Sequence, residues 1–350
     1  MRFARPPVWS APTRCALLLM AAAAVVSLAA CRDKGRPSGR LPADGTVIAF
    51  INPNAEDAQW PAVIGGAQAV MSRYPFLRLV PLAATPGEPT TLDALVDQAL
   101  GRGARGIALW IPEPGRSDIP VDRLRRAGVM IVAAGSVPDA HTDLPAAIID
   151  YGAAGATLAG RLPEIAAGRQ SYVLLHQRGR DSVATSAHDE FMGLARLQSV
   201  VHLLTDRNAS TEPSPPHALV RDMLSEYRHA GLVISLGPDN WWGVEPRFEL
   251  PDGCRFATLS AAPVLWARLR DGEAAALVGA LDGDVGRAAV ERLAALLMAE
   301  PVPSAPRVIP CELVTGDTLT DFAERYAAAA GLPLADLLPA APATQPVTPP

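Results

Sequence analysis

Short apolar runs alternate with amphipathic stretches along most of this chain, beginning at Gly45. The first run, Thr46-Val47-Ile48-Ala49-Phe50-Ile51, is almost wholly apolar, and an amphipathic segment follows it from about Pro61 to Tyr74. Strands that are apolar on both faces and alternate with helices form parallel sheets that helices cover on both sides. The alternation therefore predicts an α/β fold.

The same alternation restarts near the middle of the chain. The first unit has predicted strands at 46–51, 77–82, 106–111 and 129–134 and helices at 61–74, 92–101 and 121–127. The second unit has helices at 153–167, 183–197 and 218–227 and strands at 171–176, 200–204, 231–236 and 255–260. A helix at 285–298, a strand at 308–314 and a helix at 320–329 follow.

These units predict two doubly wound parallel-sheet lobes joined by a hinge. The N-terminal lobe is expected at 45–149 plus 283–308 and the C-terminal lobe at 150–282 plus 309–330. The chain is expected to cross between the lobes near 136–149, 260–263 and 281–285.

The amino terminus has the pattern of a secretory signal peptide, predicted at 1–30. Three arginines and no acid lie in the first 14 residues, and an apolar run follows at 15–28 that is shorter than the ~18 residues a membrane span needs. Leu28-Ala29-Ala30-Cys31 resembles the bacterial lipobox, which implies cleavage before Cys31 and lipidation of that cysteine. The alternative is a signal peptide cut after an Ala-x-Ala site, with Cys31 incidental.

This pattern predicts an exported protein of the cell envelope that faces the periplasm or the cell exterior. Several acyl chains on Cys31 would anchor it stably at a membrane. Residues 31–44 are rich in charge, Gly and Pro and predict a flexible tether, whereas residues 339–350, mainly Pro, Ala and Thr, predict a disordered tail.

Charge and cysteine content narrow the partners. Without the three signal arginines, 28 basic residues stand against 36 acidic ones, a net charge of −8, and no nucleic-acid partner is expected. Cys15 lies in the signal, so Cys254 and Cys311 remain as a pair in an oxidising compartment. They form either a disulfide or two buried free thiols, and their spacing leaves both open.

Open α/β sheets bind ligands beyond the carboxyl ends of their strands. A polyol ring stacks on an aromatic face while amide and carboxylate groups pair with its hydroxyls. The candidate ligand-binding residues in these loops are Asn52, Asn54, Gln59, Trp60, Trp110, Ser136, Asp150, Tyr151, Asn240, Trp241 and Trp242. The alternative for each tryptophan is a rim or core position, and the alternative for Asp150 is a helix cap. Arg178 and Asp181 also lie in these loops, and the alternative for them is a surface ion pair.

Several segments between residues 46 and 326 carry a family likeness. They are the opening strand with Trp60 and Gly66-Ala67, the run from Arg105 to Pro112, the run from Ala127 to Val132, Asp150-Tyr151 with Gly155, the run from Leu281 to Gly286, and the run from Glu312 to Thr315. In this order they resemble the type I periplasmic sugar-binding proteins, the ribose and galactose receptors whose fold also forms the ligand domain of lac-repressor-type regulators. The resemblance implies a bilobed receptor with its ligand between the lobes.

The chain departs from that family where charged residues usually read the sugar. Gly135-Ser136 stands in place of an Asp, Ala187-His188-Asp189 in place of an Arg, Gly237-Pro238-Asp239 in place of Asn-Asp, and Ser260-Ala261 in place of an Asp. These replacements leave the expected fold unchanged, but they remove most of the charged sugar contacts.

The sequence thus predicts a substrate-binding protein that captures a small polar ligand, a carbohydrate by resemblance, for an ABC transporter permease or a membrane sensor. The alternative is a degenerate binding-protein fold that signals or scaffolds as a lipoprotein. No enzyme, cofactor or metal is predicted. Gly101-Arg102-Gly103-Ala104-Arg105-Gly106 follows a helix rather than a strand, unlike a dinucleotide site, and the six histidines lack metal-site spacing.

Overall fold

The computed structural model describes residues 45–54, 57–85, 88, 90–111, 119–237, 242 and 248–338. Its strands are β1 (Thr46–Asn52), β2 (Leu77–Ala83), β3 (Ala104–Trp110), β4 (Met130–Gly135), β5 (Ala146–Ile149), β6 (Ser171–His176), β7 (His202–Asn208), β8 (Leu232–Leu236), β9 (Arg255–Thr258), β10 (Ala274–Ala280), β11 (Arg307–Ile309) and β12 (Cys311–Val314).

Its α-helices are α1 (Trp60–Ala69), α2 (Leu92–Gly101), α3 (Val121–Arg126), α4 (Tyr151–Gly160), α5 (Leu162–Ala166), α6 (Ser182–Ala195), α7 (Pro216–Glu226), α8 (Trp266–Arg270), α9 (Asp282–Leu297), α10 (Leu319–Ala330) and α11 (Leu334–Leu337). Short 3₁₀ turns at Met71–Arg73 and Pro263–Leu265 extend α1 and precede α8. Within the described ranges, no helix is long and apolar enough to cross a membrane.

The strands form two six-stranded sheets, each built largely from one half of the chain. The first sheet has the order β11-β5-β4-β3-β1-β2, and all its neighbours pair in parallel. The second has the order β12-β10-β9-β8-β6-β7 and is parallel except for the antiparallel pair of β10 and β12. The predicted fold of two α/β lobes with doubly wound parallel sheets is confirmed.

The chain passes between the two sheets at three places. It leaves the first sheet after β5 at Asp150, returns after β10 at Leu281, and leaves again at Pro310 between β11 and β12. The crossing predicted at 260–263 is wrong, because β10 continues in the second sheet before the chain returns. The crossing predicted within 136–149 falls later, because β5 still belongs to the first sheet.

Glycines let the helices near the crossings pack at backbone distance. A Cβ atom on Gly66 of α1 would lie 1.9 Å from the carbonyl oxygen of Gly283 in α9. One on Gly65 would lie 1.9 Å from the carbonyl oxygen of Ala330 in α10. The helix α10 therefore contacts α1 and α9 closely, while its Tyr326 ring packs edge-on against Trp266 in α8 at 5.4 Å.

The disulfide alternative for Cys254 and Cys311 is wrong, since both are free thiols. Strand β10 separates them: Ala274 at its start pairs with Phe256, near Cys254, and Ala280 at its end pairs with Cys311. At ~3.3 Å per residue these two ends are about 20 Å apart, whereas a disulfide requires Cα atoms within ~7 Å.

Candidate ligand site

A groove opens at the carboxyl edge of the second sheet. It is bordered by the ends of β6, β8 and β9, by the first turns of α6 and by α4, and its envelope of about 370 Å³ includes open solvent. Its lining includes the side chains of Tyr151, Gln177, Arg180, Asp181, Ala187 and Leu259. This is the position at which open α/β sheets bind ligands.

The loop from Gln177 to Asp181, which carries the polar wall of the groove, is held by local hydrogen bonds. Asp181 caps α6 by accepting the amide of Ala184 at 2.7 Å. Arg180 donates to the side chain of Gln177, and Thr185 accepts the amide of Gly179 at 3.0 Å. The alternative of a surface pair between Arg178 and Asp181 is wrong, because Arg178 pairs with Asp189 at 2.8 Å.

A second polar group lies where the lobes meet, and we call it the inter-lobe cluster: Asp57, Gln59, Tyr151, Asp282 and Tyr326. Asp282 is 1% exposed, and its carboxylate accepts hydrogen bonds from the side-chain amide of Gln59 at 3.1 Å and from the hydroxyl of Tyr326 at 2.7 Å. Burial raises the pKa of Asp282 to about 7, and the nearby charge of Asp57 adds to this, against the two hydrogen bonds that lower it.

Tyr151 connects the inter-lobe cluster to the groove. It lies beside Gln59 and Asp282, and its pKa lies well above the ordinary value, first because it is buried and second because Asp282 is close. The same side chain lines the groove in the second lobe. Ligand in the groove would therefore lie next to the point where the lobes meet.

Asp57 joins the inter-lobe cluster to a tryptophan of the first lobe. Its carboxylate accepts the indole N–H of Trp110 and, at 2.8 Å, the backbone N–H of Gln59. Burial raises its pKa, against the lowering effect of the hydrogen bond from Trp110. Trp110 itself packs beneath Gly135, where a Cβ atom would lie 2.9 Å from its ring.

Several of the predicted ligand residues are engaged within the protein. Trp110 is 1% exposed, and Trp242 is 0% exposed and stacks on Phe256 at 4.2 Å, so the prediction that these rings present faces to a ligand is wrong. Ser136 is buried and donates its hydroxyl to the carbonyl of Ile111 at 2.5 Å. Gln59 is buried and bound to Asp282.

Two first-lobe residues keep features that suit a ligand. Asn52 is 0% exposed and its side-chain oxygen accepts the amide of Asn54 at 2.9 Å, while its Nδ2 has no partner among the described residues. Trp60 is half-buried at the start of α1 and packs edge-on against Phe50 at 5.4 Å. Asn54 lies beside them at the surface.

The remaining predictions have different outcomes. Asp150 caps α4 by accepting the amide of Ala153 at 2.9 Å, which is the alternative stated for it. Asn240, Trp241 and Cys31 lie outside the described residues. Sequence reasoning missed Gln177 and Arg180, although both lie in the loop that follows a predicted strand. It also missed Asp57, Asp282 and Tyr326, which no local pattern connects.

The chain resembles solved structures in fold while differing from them in sequence. No family model matches it, and no curated protein matches it in sequence. A solute-binding protein of Agrobacterium vitis bound to α-D-tagatopyranose has 14% identity and a TM-score of 0.66, over 80% of this chain and 98% of that one. One from Actinobacillus succinogenes with bound D-allose has 11% identity and a TM-score of 0.65, over 79% and 99%.

A third, from Burkholderia graminis in complex with D-arabinose, has 14% identity and a TM-score of 0.64 over 80% of this chain and 98% of that one. The chain has the fold of the type I periplasmic binding proteins. Within this type I fold, the groove and the inter-lobe cluster adjoin at Tyr151.

Proposed function

We propose that the protein is a lipid-anchored substrate-binding protein that captures a small polar ligand, a carbohydrate by class, between its lobes for a membrane permease. The groove with Gln177, Arg180 and Asp181 beside an apolar floor carries this proposal. Its position beyond the carboxyl ends of β6, β8 and β9 is where open α/β sheets bind small molecules. The structural neighbours that hold tagatose, allose and arabinose support the choice of carbohydrate.

The lining of the groove suits the two kinds of surface on a sugar. Ala187 and Leu259 offer apolar contact to ring C–H groups. A guanidinium has five N–H donors and a carboxylate about four acceptor positions, which are the partners that hydroxyl groups need. Arg180 and Asp181 supply these groups from a loop that its own hydrogen bonds already order, so little entropy is lost when ligand binds.

The opposite wall would come from the first lobe. A buried amide without a partner costs about 1–3 kcal/mol, so a ligand oxygen that accepts from Nδ2 of Asn52 would recover that cost. The half-buried Trp60 is the remaining described tryptophan of the predicted set that can stack on a ring. Asn54, Asn240 and Trp241 stay predicted contacts.

Binding would couple to a change in the angle between the lobes. The three crossings at Asp150, Leu281 and Pro310 are the segments about which the lobes would turn. The lobe boundaries predicted at 282/283 and 308/309 would therefore shift by one or two residues, to Leu281 and Pro310. Ligand favours closure only to the extent that it binds the closed state better than the open one. The permease or a sensor would recognise the closed form, and the protein itself would catalyse no reaction.

Lipid on Cys31 would hold this receptor at a membrane. The arginine-rich start, the apolar run and Leu28-Ala29-Ala30-Cys31 support this part of the proposal. In the native host, Cys31→Ser should move the protein from the membrane fraction to the soluble fraction and abolish incorporation of an alkyne-labelled fatty acid. Labelling that persists in this variant would refute the anchor.

The binding proposal is tested by calorimetry and thermal unfolding of the purified protein with D-tagatose, D-allose, D-arabinose and myo-inositol. A true ligand at 100 times its dissociation constant should add about 2.7 kcal/mol to the free energy of unfolding. Arg180→Ala should weaken binding at least tenfold, whereas Arg161→Ala, an exposed arginine of the same lobe, should not change it. Equal affinity of the two variants would overturn the assignment of the groove.

One observation favours a second function, a signalling or scaffolding lipoprotein without a ligand. Gln59 and Trp110 were predicted to meet a ligand, and here their side chains bind Asp282 and Asp57. If no member of a broad sugar, polyol and nucleoside panel stabilises the protein, this second function is favoured.

A further inference from the structure

Two histidines and an aspartate meet on the second lobe, and we call them the histidine cluster: His176, His188 and Asp206. A ring nitrogen of each histidine and a carboxylate oxygen of Asp206 lie within 4.8 Å of one another. The rings of His176 and His188 are 4.3 Å apart between centroids and inclined by 49°. The mechanism proposed above does not use these side chains.

The fold explains why these three residues meet. In the parallel pair of β6 and β7, Leu174 lies opposite Asp206, so the alternation of side chains puts His176 and Asp206 on the same face of the sheet. The helix α6 connects these two strands and brings His188 to that face. The residues are 12 and 18 positions apart along the chain, which is why no metal-site spacing was found in the sequence.

His188 has the arrangement that histidines adopt as metal ligands. Its Nδ1 lies 3.0 Å from the Asp189 carboxylate, which also accepts Nε of Arg178 at 2.8 Å. With the proton on Nδ1 and donated to Asp189, Nε2 retains its lone pair. That Nε2 atom is fully buried and has no hydrogen-bond partner among the residues that the structure describes.

The other two groups complete a nitrogen and oxygen donor set. His176 is buried at the end of β6 and contributes a ring nitrogen to the cluster. Its Nδ1 accepts the amide of Arg178 at 3.1 Å, and a cation at this nitrogen would compete with that amide. Asp206 is exposed and would supply a negative charge and an entry path.

We propose that His176, His188 and Asp206 form a zinc-binding site. Two imidazoles, one carboxylate and a water molecule are a common tetrahedral set for Zn²⁺. Ligand atoms around such an ion, at about 2.0–2.2 Å from it, are separated by roughly 3.3–3.5 Å. The cluster therefore needs side-chain movements of about 1 Å, which the exposed Asp206 and the loop after β6 can accommodate.

Zinc at this site would stiffen one wall of the groove. His176 immediately precedes Gln177, and His188 immediately follows Ala187, and both of these neighbours line the groove. A cation that joins the end of β6 to α6 would fix the loop between them, which carries Arg180 and Asp181. This consequence extends the proposed function, but the zinc site itself does not depend on it.

The test uses the purified protein without a histidine tag, titrated with ZnCl₂ by calorimetry at pH 7.5, and with CoCl₂ by visible absorption. We expect one equivalent of zinc to bind with a dissociation constant on the order of 1 µM or lower. With Co²⁺ we expect the visible absorption bands, at roughly 500–700 nm, that a tetrahedral cobalt site gives. Zinc should also raise the unfolding temperature.

Substitutions separate this site from adventitious binding. His188→Asn and Asp206→Asn should each weaken zinc binding at least tenfold and remove the cobalt bands, whereas His202→Asn, an exposed histidine on β7, should leave both unchanged. Asp206→Asn changes an exposed side chain and so tests the site even if His188→Asn does not fold. The proposal would be overturned if no zinc binds at a ZnCl₂ concentration of about 1 mM. It would also be overturned if Asp206→Asn binds zinc as tightly as the unmodified protein.

Discussion

The buried carboxyl of Asp282 should make the stability of this protein fall as the pH rises toward neutrality. Its pKa is about 7 in the folded chain and near its ordinary value of 3.8 in the unfolded chain. Between these values the folded state holds a proton that the unfolded state has lost. The stabilisation is complete below about pH 4 and is lost as the pH rises through about 7.

The size of the effect follows from the difference between the two pKa values. Each unit corresponds to 1.36 kcal/mol, so the shift from 3.8 to about 7 amounts to about 4 kcal/mol. Asp282→Asn keeps a group of the same shape between Gln59 and Tyr326 but carries no charge at any pH. Relative to the unmodified protein, the variant should gain about 4 kcal/mol between pH 4 and pH 8.

Urea unfolding of both proteins at half-unit pH intervals measures this difference directly. The exposed Asp317→Asn variant serves as a control and should follow the unmodified protein within about 0.5 kcal/mol at every pH. Parallel curves for Asp282→Asn and the unmodified protein would show that the carboxyl titrates normally, and the reasoning from burial would then be refuted.

Two further predictions concern packing and the groove. Gly66→Ala should destabilise the protein by about 1–3 kcal/mol, because the new Cβ atom meets the Gly283 carbonyl. Gly101→Ala places its Cβ atom where nothing lies within 4 Å, so it should be neutral or stabilising. Equal unfolding temperatures of the two variants would contradict this reasoning. Asp181→Ala should lower the free energy of unfolding by about 1 kcal/mol, because it removes the hydrogen bond that caps α6 at Ala184; thermal unfolding measures this. It should also weaken ligand binding, which calorimetry measures. Unchanged ligand affinity would argue against the groove.

The sequence predicted those elements whose signal is local. The strand at 171–176 and the helix at 92–101 match the structure at both ends, because the first is a short run with an apolar centre and the second has apolar residues at helical spacing up to Gly101. The strand β10 was missed, since its start, Ala274-Ala275-Ala276, has helix propensity and becomes a strand only through complete burial in the second sheet. The predicted strand at 308–314 is two strands in different sheets, because Pro310 interrupts it.

The location of the site was more predictable than the direction of its side chains. Because β3 ends at Trp110 and loops follow the strands at one edge, the general position of the site could be predicted. Whether the Trp110 ring faces a ligand or the core depends on Gly135 and Asp57, which lie in other segments of the chain. The contact between Gln59 and Asp282 spans 223 residues, and no local pattern indicates it.

The difference between the inter-lobe cluster and the groove decides where a ligand can bind. A ligand that entered the inter-lobe cluster would have to break the hydrogen bonds that Gln59 and Tyr326 donate to Asp282. It would leave the Asp282 carboxyl buried without these partners. Each bond has a net value of about 1 kcal/mol, and an unpaired buried polar group costs a further 1–3 kcal/mol. The polar wall of the groove lies on the loop that carries the exposed Arg180, so a ligand there would leave the buried hydrogen bonds of Asp282 intact. Of these two places, the groove is therefore the one in which a polar ligand would gain more, whereas the inter-lobe cluster already satisfies its own polar groups.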